Sequence, residues 1–279
     1  MDDAKPVDPD RRDFIYIATI SVGAIGVGLV AWPLIDQMNP DAAALAPLAR
    51  CPVETYGLSE DVDWHAHGVT TDPTGTSFQV RRRGAGFGTF ALPMLGLHNV
   101  RNALAAIAVG SRVGLAPGAL AAGLRAFRGV KRRLETVGVR RGVTVLDDFA
   151  HHPTAVQETL AALRTGYPSR RIWAVFEPRS ASSCRRIFQD DFARAFGGAT
   201  EVLIAPVFRA TLLEAERLSV PQLVRDLNSR GQSAREADSL EDIVDTIVRD
   251  HRMGDLVVLM SNGGFGGIHQ KLLRTLGER

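Results

Sequence analysis

The sequence predicts an α/β protein: a parallel sheet covered by helices on both faces in the C-terminal half, and a transmembrane helix near the N-terminus. Two observations carry this expectation. From Val143 onward, short apolar runs alternate with segments of helical period, and parallel strands need such helical crossovers. Near the start, Phe14 to Ile35 carries no charge and is about as long as the ~20 apolar residues of a spanning helix.

The bulk composition fits a folded protein of about one to two domains. Of 279 residues, 45% are hydrophobic and 23% charged, both ordinary values. A net charge of +2, with its best basic run, Lys131-Arg132-Arg133, a short one, gives no electrostatic case for nucleic acid. The cysteines, Cys51 and Cys184, lie far apart without CxxC spacing, which favours a reduced, non-metal role. The histidines lack a zinc pattern such as HExxH, so no metal site is expected from them.

The first element is the span itself. Gly23, Gly26 and Gly28 allow close helix packing in a membrane, and Trp32 stands at the far end, where an interfacial aromatic belongs. Arg11-Arg12-Asp13-Phe14 places twin arginines just before the apolar stretch, the mark of twin-arginine export. Lys5, Arg11 and Arg12 precede the span while Asp36 and Asp41 follow it, so the positive-inside bias puts the N-terminus in the cytoplasm. The expectation is a single pass through the inner membrane.

An Ala-rich linker, Ala42 to Ala49, leads to short strands and turns. Asp72-Pro73-Thr74-Gly75 and Gly84-Ala85-Gly86 supply reversals, and Ser77 to Arg81 pairs with Gly88 to Leu92 as a hairpin. No helix follows the glycines of Gly84 to Gly88, so they read as a turn and not as a phosphate loop. Helices are expected over His98 to Gly114, with Val100, Leu104, Ile107 and Ala108 on one face, and from Pro117 to about Phe127.

The alternating region follows. Strands are expected at Val143 to Leu146, Arg171 to Phe176, Glu201 to Val207 and Leu256 to Met260. Helices are expected at Pro153 to Thr165, Ser182 to Phe196, from a Ser219 cap to near Gly231, from a Ser239 cap to about Asp250, and at Ile268 to Leu276. Function in such sheets collects at the C-terminal strand ends. Asp147 to His152, Glu177 to Ser183 and Ser261 to Gly267 fall there and are expected to converge. Ser261 to His269, SNGGFGGIH, reads either as an anion cradle at a helix N-terminus or as a tight strand–helix turn.

Two resemblances sharpen these readings. Arg11 to Pro40, RRDFIYIATISVGAIGVGLVAWPLIDQMNP, closely resembles the N-terminal anchor of the bacterial Rieske iron–sulfur subunit of ubiquinol–cytochrome c reductase. That likeness covers about the first 45 residues. A Rieske centre needs two Cys and two His in paired boxes, and neither Cys51 nor Cys184 has a ligand-like His spacing, so no iron–sulfur cluster is expected. From about Pro52 to Arg279, the ordered set LGLHNVRNALAAIAVG, FRGVKRRLE, DDFAHHPTAV, FEPRSASS and MSNGGFGGIHQKLL resembles the Mur ligase superfamily. The wording is nearest to the branch that joins UDP-N-acetylmuramate to L-alanyl-γ-D-glutamyl-meso-diaminopimelate in peptidoglycan recycling.

The resemblance implies a Rossmann-like C-terminal domain over 138–279, a remnant of a central domain over 46–137, and the anchor over 1–45. It also implies chemistry: ATP and Mg²⁺ as cofactors, phosphorylation of the substrate carboxylate, then attack of an amine on the acyl phosphate. By matching position it places His98, Asn99, Asn102, Arg133 and Asp148 on the nucleotide, with Asp148 at the ribose. It places His151, Arg179, Ser180, Ser261, Asn262, Gly263 and Gly264 on the substrates.

The P-loop of that family has no counterpart in the sequence. No G-x-x-x-x-G-K-[ST] occurs, and Lys5, Lys131 and Lys271, the only lysines, stand in other motifs. The expectation is therefore a truncated ligase without a complete catalytic set, inactive alone. The anchor implies a membrane partner and export, whereas a ligase part would natively be cytoplasmic, so a fused or rearranged reading frame is the expectation that accommodates both. The alternatives are a Rieske-type membrane subunit without its cluster domain, or a non-catalytic peptide-binding module.

Overall fold

The computed structural model describes residues 52–208 and 212–278. The expected span Phe14 to Ile35, the twin arginines, the Ala-rich linker and Cys51 lie outside the described residues. Among the described residues, no helix is long and apolar enough to cross a membrane. The described residues fall into two compact units.

The first unit is built on a small sheet and two helices. Strands β1 (Tyr56–Gly57), β2 (Trp64–Asp72), β3 (Gly75–Arg82) and β4 (Ala85–Leu92) form a four-stranded sheet in that order. Two-residue loops join β2 to β3 and β3 to β4, which only antiparallel neighbours allow. In the first loop Asp72 Oδ1 accepts from Thr74 N at 2.7 Å, the side chain closing its own turn. Trp64, Phe78 and Phe90 are fully buried, and Phe87 meets the Trp64 ring edge-on at 5.0 Å. Helices α1 (Leu97–Arg112) and α2 (Pro117–Ala126) follow, as expected. Gly110 lets them approach: a Cβ there would stand 2.4 Å from Leu120 Cδ2.

The second unit carries the sheet that positions the candidate site. Its strands are β5 (Glu135–Arg140), β6 (Val143–Asp148), β7 (Ile172–Phe176), β8 (Glu201–Ile204), β9 (Ser233–Glu236) and β10 (Leu256–Met260), in the order β5-β6-β10-β7-β8-β9. All neighbours are parallel except β5, which runs antiparallel to β6. The helices are α3 (Pro153–Gly166), α4 (Gln189–Ala195), α5 (Val220–Ser229), α6 (Leu240–Asp250) and α7 (Ile268–Glu278).

Strand alternation sorts the core into two layers. Ile172, Ala174, Phe176, Leu256, Val258 and Met260 pack with Val156, Leu160, Phe192 and Leu223 of α3, α4 and α5. Trp173, Val175, Val257 and Leu259 point the other way, against Ile243, Ile247, Ile268 and Leu272 of α6 and α7. Both faces of β7 and β10 are thus covered, which is why these strands are apolar throughout.

Three details depart from the sequence reading. Strands β5 and β9 were not expected. The helix expected at Ser182 to Phe196 is shorter: a 3₁₀ turn at Arg186–Phe188 leads into α4 at Gln189. The serines explain it. Ser183 Oγ accepts from Ser180 N, and Ser180 Oγ accepts from Ser183 N, both at 2.9 Å, so side chains take backbone groups away from a helical pattern.

Candidate functional site

Strand β10 lies between β6 and β7 in register, Met260 opposite both Asp148 and Phe176. The three C-terminal ends are therefore level, at the point where the strand order reverses, the usual ligand position in an open α/β sheet. Hydrogen bonds tie the three following segments together. Ser261 N donates to Asp148 O at 3.1 Å, and Glu177 N donates to Met260 O at 3.0 Å. Ser261 Oγ donates to Glu177, and Gly263 N donates back to Ser261 Oγ at 2.9 Å. The expected convergence of Asp147 to His152, Glu177 to Ser183 and Ser261 to Gly267 is what the geometry shows.

The two adjacent aspartates of β6 face opposite ways. Asp148 is 3% exposed and turned inward: it accepts from Leu134 N and Ala150 N, both at 2.8 Å, and from Thr159 Oγ1 at 3.2 Å. Asp147 faces Arg132, whose Nε donates to it at 3.2 Å, and His269, whose Nε2 stands 3.1 Å from Oδ1 without hydrogen-bond alignment. His151 Nδ1 contacts Phe149 O at 3.0 Å, and its ring meets Phe149 edge-on. His152 caps α3 without a side-chain bond and packs on Phe188. Burial, then the neighbouring His151, lower its pKa, against a smaller opposing effect of Asp191. The imidazole therefore favours the neutral form.

Arg179 is fixed on three sides. Its guanidinium lies 3.7 Å from the centre of the Phe208 ring, and Nη1 is 3.6 Å from Glu177 Oε1. On the third side is Gly263, where a Cβ would come within 2.2 Å of Arg179 Nε. A glycine is needed there for the close approach, whatever its backbone angles. Ser180 is buried and engaged with Ser182 and Ser183. Asn262 Oδ1 is buried with no hydrogen-bond partner among the described residues, and Gly264 is exposed beside it. Arg133 is exposed, with its guanidinium 5.6 Å from the Phe149 ring centre.

His98, Asn99 and Asn102 belong to the first unit, in the first turns of α1. Asn99 is 7% exposed and accepts from Asn102 Nδ2 at 3.5 Å, a long contact; His98 and Asn102 are half-buried.

A model of the Mur ligase middle domain matches residues 30–110, and a model of the Mur ligase glutamate ligase domain matches residues 132–263. UDP-N-acetylmuramate--L-alanyl-gamma-D-glutamyl-meso-2,6-diaminoheptandioate ligase of Escherichia coli (strain K12) is 36% identical over 281 residues, covering 100% of this chain and 57% of that one.

The chain belongs to the Mur ligase family.

A murein peptide ligase from Psychrobacter arcticus 273-4 is 34% identical, with a TM-score of 0.57 over 80% of this chain and 46% of that one. The MurF ligase from Thermotoga maritima, solved in complex with ADP, has a TM-score of 0.59 over 85% of this chain and 52% of that one. At 17% identity it shows a shared fold alone. This Mur ligase chain spans about half the length of the curated relatives it matches. Its first 41 residues also match a model described as the ubiquitinol–cytochrome c reductase Fe-S subunit TAT signal.

Three residues of the candidate site were given no role in the sequence reading: Arg132, Asp147 and His269. Each stood within a quoted motif, but beside a residue that drew attention first. Arg132 precedes Arg133, Asp147 precedes Asp148, and His269 follows the glycines. Only the face each side chain takes at a strand or loop end separates them, and adjacent positions on a strand point to opposite faces.

Proposed function

We propose that this chain carries the amino-substrate half of an ATP-dependent, amide-forming ligase acting on UDP-N-acetylmuramate and L-alanyl-γ-D-glutamyl-meso-diaminopimelate. The carrying observation is the junction at Ser261, bonded at once to the β6 end, to Glu177 and to Gly263. Arg179, Ser180, Ser261, Asn262, Gly263 and Gly264 form the peptide side of the proposed site. Arg179 supplies a fixed cation for a carboxylate, and a planar guanidinium suits that group. Asn262 Oδ1 supplies a buried acceptor that a donor on the peptide would satisfy.

For the nucleotide, the second unit offers Arg133 beside Phe149, and the first unit by itself offers His98, Asn99 and Asn102, whose amide and imidazole groups suit a base edge. His151, expected on the substrates, stands edge-on to Phe149 as well. The ribose contact expected of Asp148 becomes an indirect one in this proposal. Its carboxylate holds the backbone of Leu134 and Ala150, and so positions Phe149 and His151. In domain terms, the C-terminal domain would run from about residue 127, to include β5, and the central-domain part would precede it.

The residues present fit the adenosine end of ATP and not its phosphates. The sequence holds no P-loop lysine motif. Among the described residues, no group of three or more His, Cys, Asp or Glu is placed to hold a metal, so no magnesium role is assigned to them. Positioning and electrostatic stabilisation of the transferring phosphoryl group are most of such catalysis, so this chain alone is expected to be inactive. An ATP-dependent ligation assay on the purified chain tests that part, and turnover would overturn it. Titration calorimetry with the tripeptide tests the binding part: heat of binding at millimolar affinity or better is expected, and its absence removes the peptide site.

Residues 1–41 are proposed to act as a twin-arginine anchor joined to this ligase part, a reading supported by the matching family model. Membrane fractionation of cells expressing the chain tests the anchor, and recovery of the protein in the soluble fraction alone refutes it. Long-read sequencing of the locus tests the fused-frame reading, against which one uninterrupted, transcribed frame in fresh isolates would count.

A further inference from the structure

We infer that Arg132 is a positioning residue that locks the loop Ser261–Gly263 to the Asp147–Phe149 segment, and that Asp147, flanked by His269, holds it in place. The inference rests on the proposed peptide site and extends it to a residue that touches no ligand.

Five contacts carry it. Arg132 Nη2 donates to Ser261 O and, at 2.6 Å, to Gly263 O, so one nitrogen grips both carbonyls that flank Asn262. Arg132 Nε donates to Asp147 Oδ2 at 3.2 Å. Its guanidinium lies 5.1 Å from the Phe149 ring centre. Its own carbonyl accepts from Phe149 N at 2.8 Å. A single side chain therefore joins the β6 end, which would face the nucleotide, to the β10 end, which would face the peptide.

The backbone of Arg132 is held for this purpose. Its φ is 60°, in the left-handed region that a non-glycine residue rarely occupies. Glu135 Oε2 accepts from Arg132 N at 2.8 Å and fixes the turn. A strained backbone at a residue that gathers three loops is the arrangement expected where orientation matters more than local stability. Asp147 is itself confined: its side chain is 14% exposed, between Arg132 and His269. Lysine could not reproduce the geometry, because its ammonium cannot present the planar fork that reaches a carboxylate and two carbonyls together. The consequence is that Asn262, between the two gripped carbonyls, keeps Oδ1 buried without a hydrogen-bond partner among the described residues.

The test uses the full chain with Arg132→Gly and Arg132→Lys. Glycine accepts a φ of 60° without strain, so the first variant removes the guanidinium while easing the backbone. Two measurements are made on each: titration calorimetry with L-alanyl-γ-D-glutamyl-meso-diaminopimelate, and amide exchange read at Asn262 to Gly264 against Leu256 to Met260. Both variants are expected to bind the tripeptide at least tenfold more weakly, and to exchange the Asn262 to Gly264 amides at least tenfold faster. The β10 amides and the melting temperature should hold. Tripeptide affinity within twofold of the parent in Arg132→Gly overturns the inference, as does unchanged exchange in that loop. Should the parent chain bind no tripeptide, the peptide-site reading fails, and exchange alone then decides whether Arg132 fixes the loop.

Discussion

Glu54 accepts hydrogen bonds from Trp64 Nε1 at 3.1 Å, from Arg112 Nε at 3.1 Å and from Arg82 Nη2 at 3.3 Å, and pairs with Arg83 as well. The Trp64 bond, followed by those of Arg112 and Arg82, outweighs burial and lowers its pKa from the ordinary 4.5 to about 2. A folded-state pKa below the unfolded one means that the stabilisation is fully present above pH 4.5 and is lost as pH falls toward 2. Glu54→Gln is expected to cost about 1–3 kcal/mol at pH 7, and its deficit against the parent should shrink as pH falls through that window. Urea unfolding at pH 7, 4 and 2.5 checks this; a deficit constant with pH would assign the loss to packing instead. In the loop after the central strand β10, Gly263→Ala would drive a Cβ to 2.2 Å from Arg179 Nε and push the guanidinium off Phe208. Tripeptide affinity is expected to fall about tenfold, near 1.4 kcal/mol, with little change in melting temperature. Calorimetry and a melting curve on the same sample separate the two effects. None of these side-chain directions is written in the sequence: Asp147 and Asp148 differ only in which face of β6 they occupy.

The elements were legible where local chemistry and tertiary packing agree. Strand β10, Leu256–Met260, is apolar throughout because both its faces are covered, and its bounds match the expectation. Ser239 and Ser219 cap α6 and α5, accepting from Asp242 N at 3.1 Å and Gln222 N at 3.3 Å, as their sequence positions announce. Two strands hid for opposite reasons. β9, Ser233–Glu236, is a polar edge strand with no apolar alternation to reveal it, and β5 carries Gly138 and an irregular register against β6. The Ser180 to Ser183 cluster misled because helical spacing of apolar residues continues past it, while the serines themselves bond locally. The caps yield a direct expectation. Ser239→Ala should remove about 1 kcal/mol, and Ser239→Asp should retain most of it, since a carboxylate also accepts at the cap and complements the helix dipole. Denaturant midpoints at constant m-value check this; equal losses in both variants would place the effect elsewhere than at the cap.

At the scale of the whole second unit, chain order and spatial order disagree in one place, and that place is the site. β10 is the last strand in sequence yet lies between β6 and β7, and all five of its residues are buried. Without it, β6 and β7 would have open edges, and the two core layers would lack Val257, Val258, Leu259 and Met260. The same strand brings Ser261 to Asp148 and Glu177, so the completeness of the sheet and the assembly of the candidate site depend on one element. The motifs at the strand ends were readable in sequence. Their neighbours across the sheet were not, because nothing local states that the final strand is the central one. A chain ending at Met253 would lack β10 and α7 and leave the sheet with unpaired inner edges, a surface prone to aggregate. That truncation is expected to abolish cooperative unfolding of the second unit, whereas Leu259→Ala in the full chain, buried against α6 and α7, should keep it and cost about 2–5 kcal/mol. Near-ultraviolet circular dichroism at Trp173, which is fully buried on neighbouring β7, distinguishes the two. A lost signal in the truncation and a retained one in Leu259→Ala are expected. A retained signal in the truncation would mean that β6 and β7 close without β10, and that the site is added to a sheet already formed.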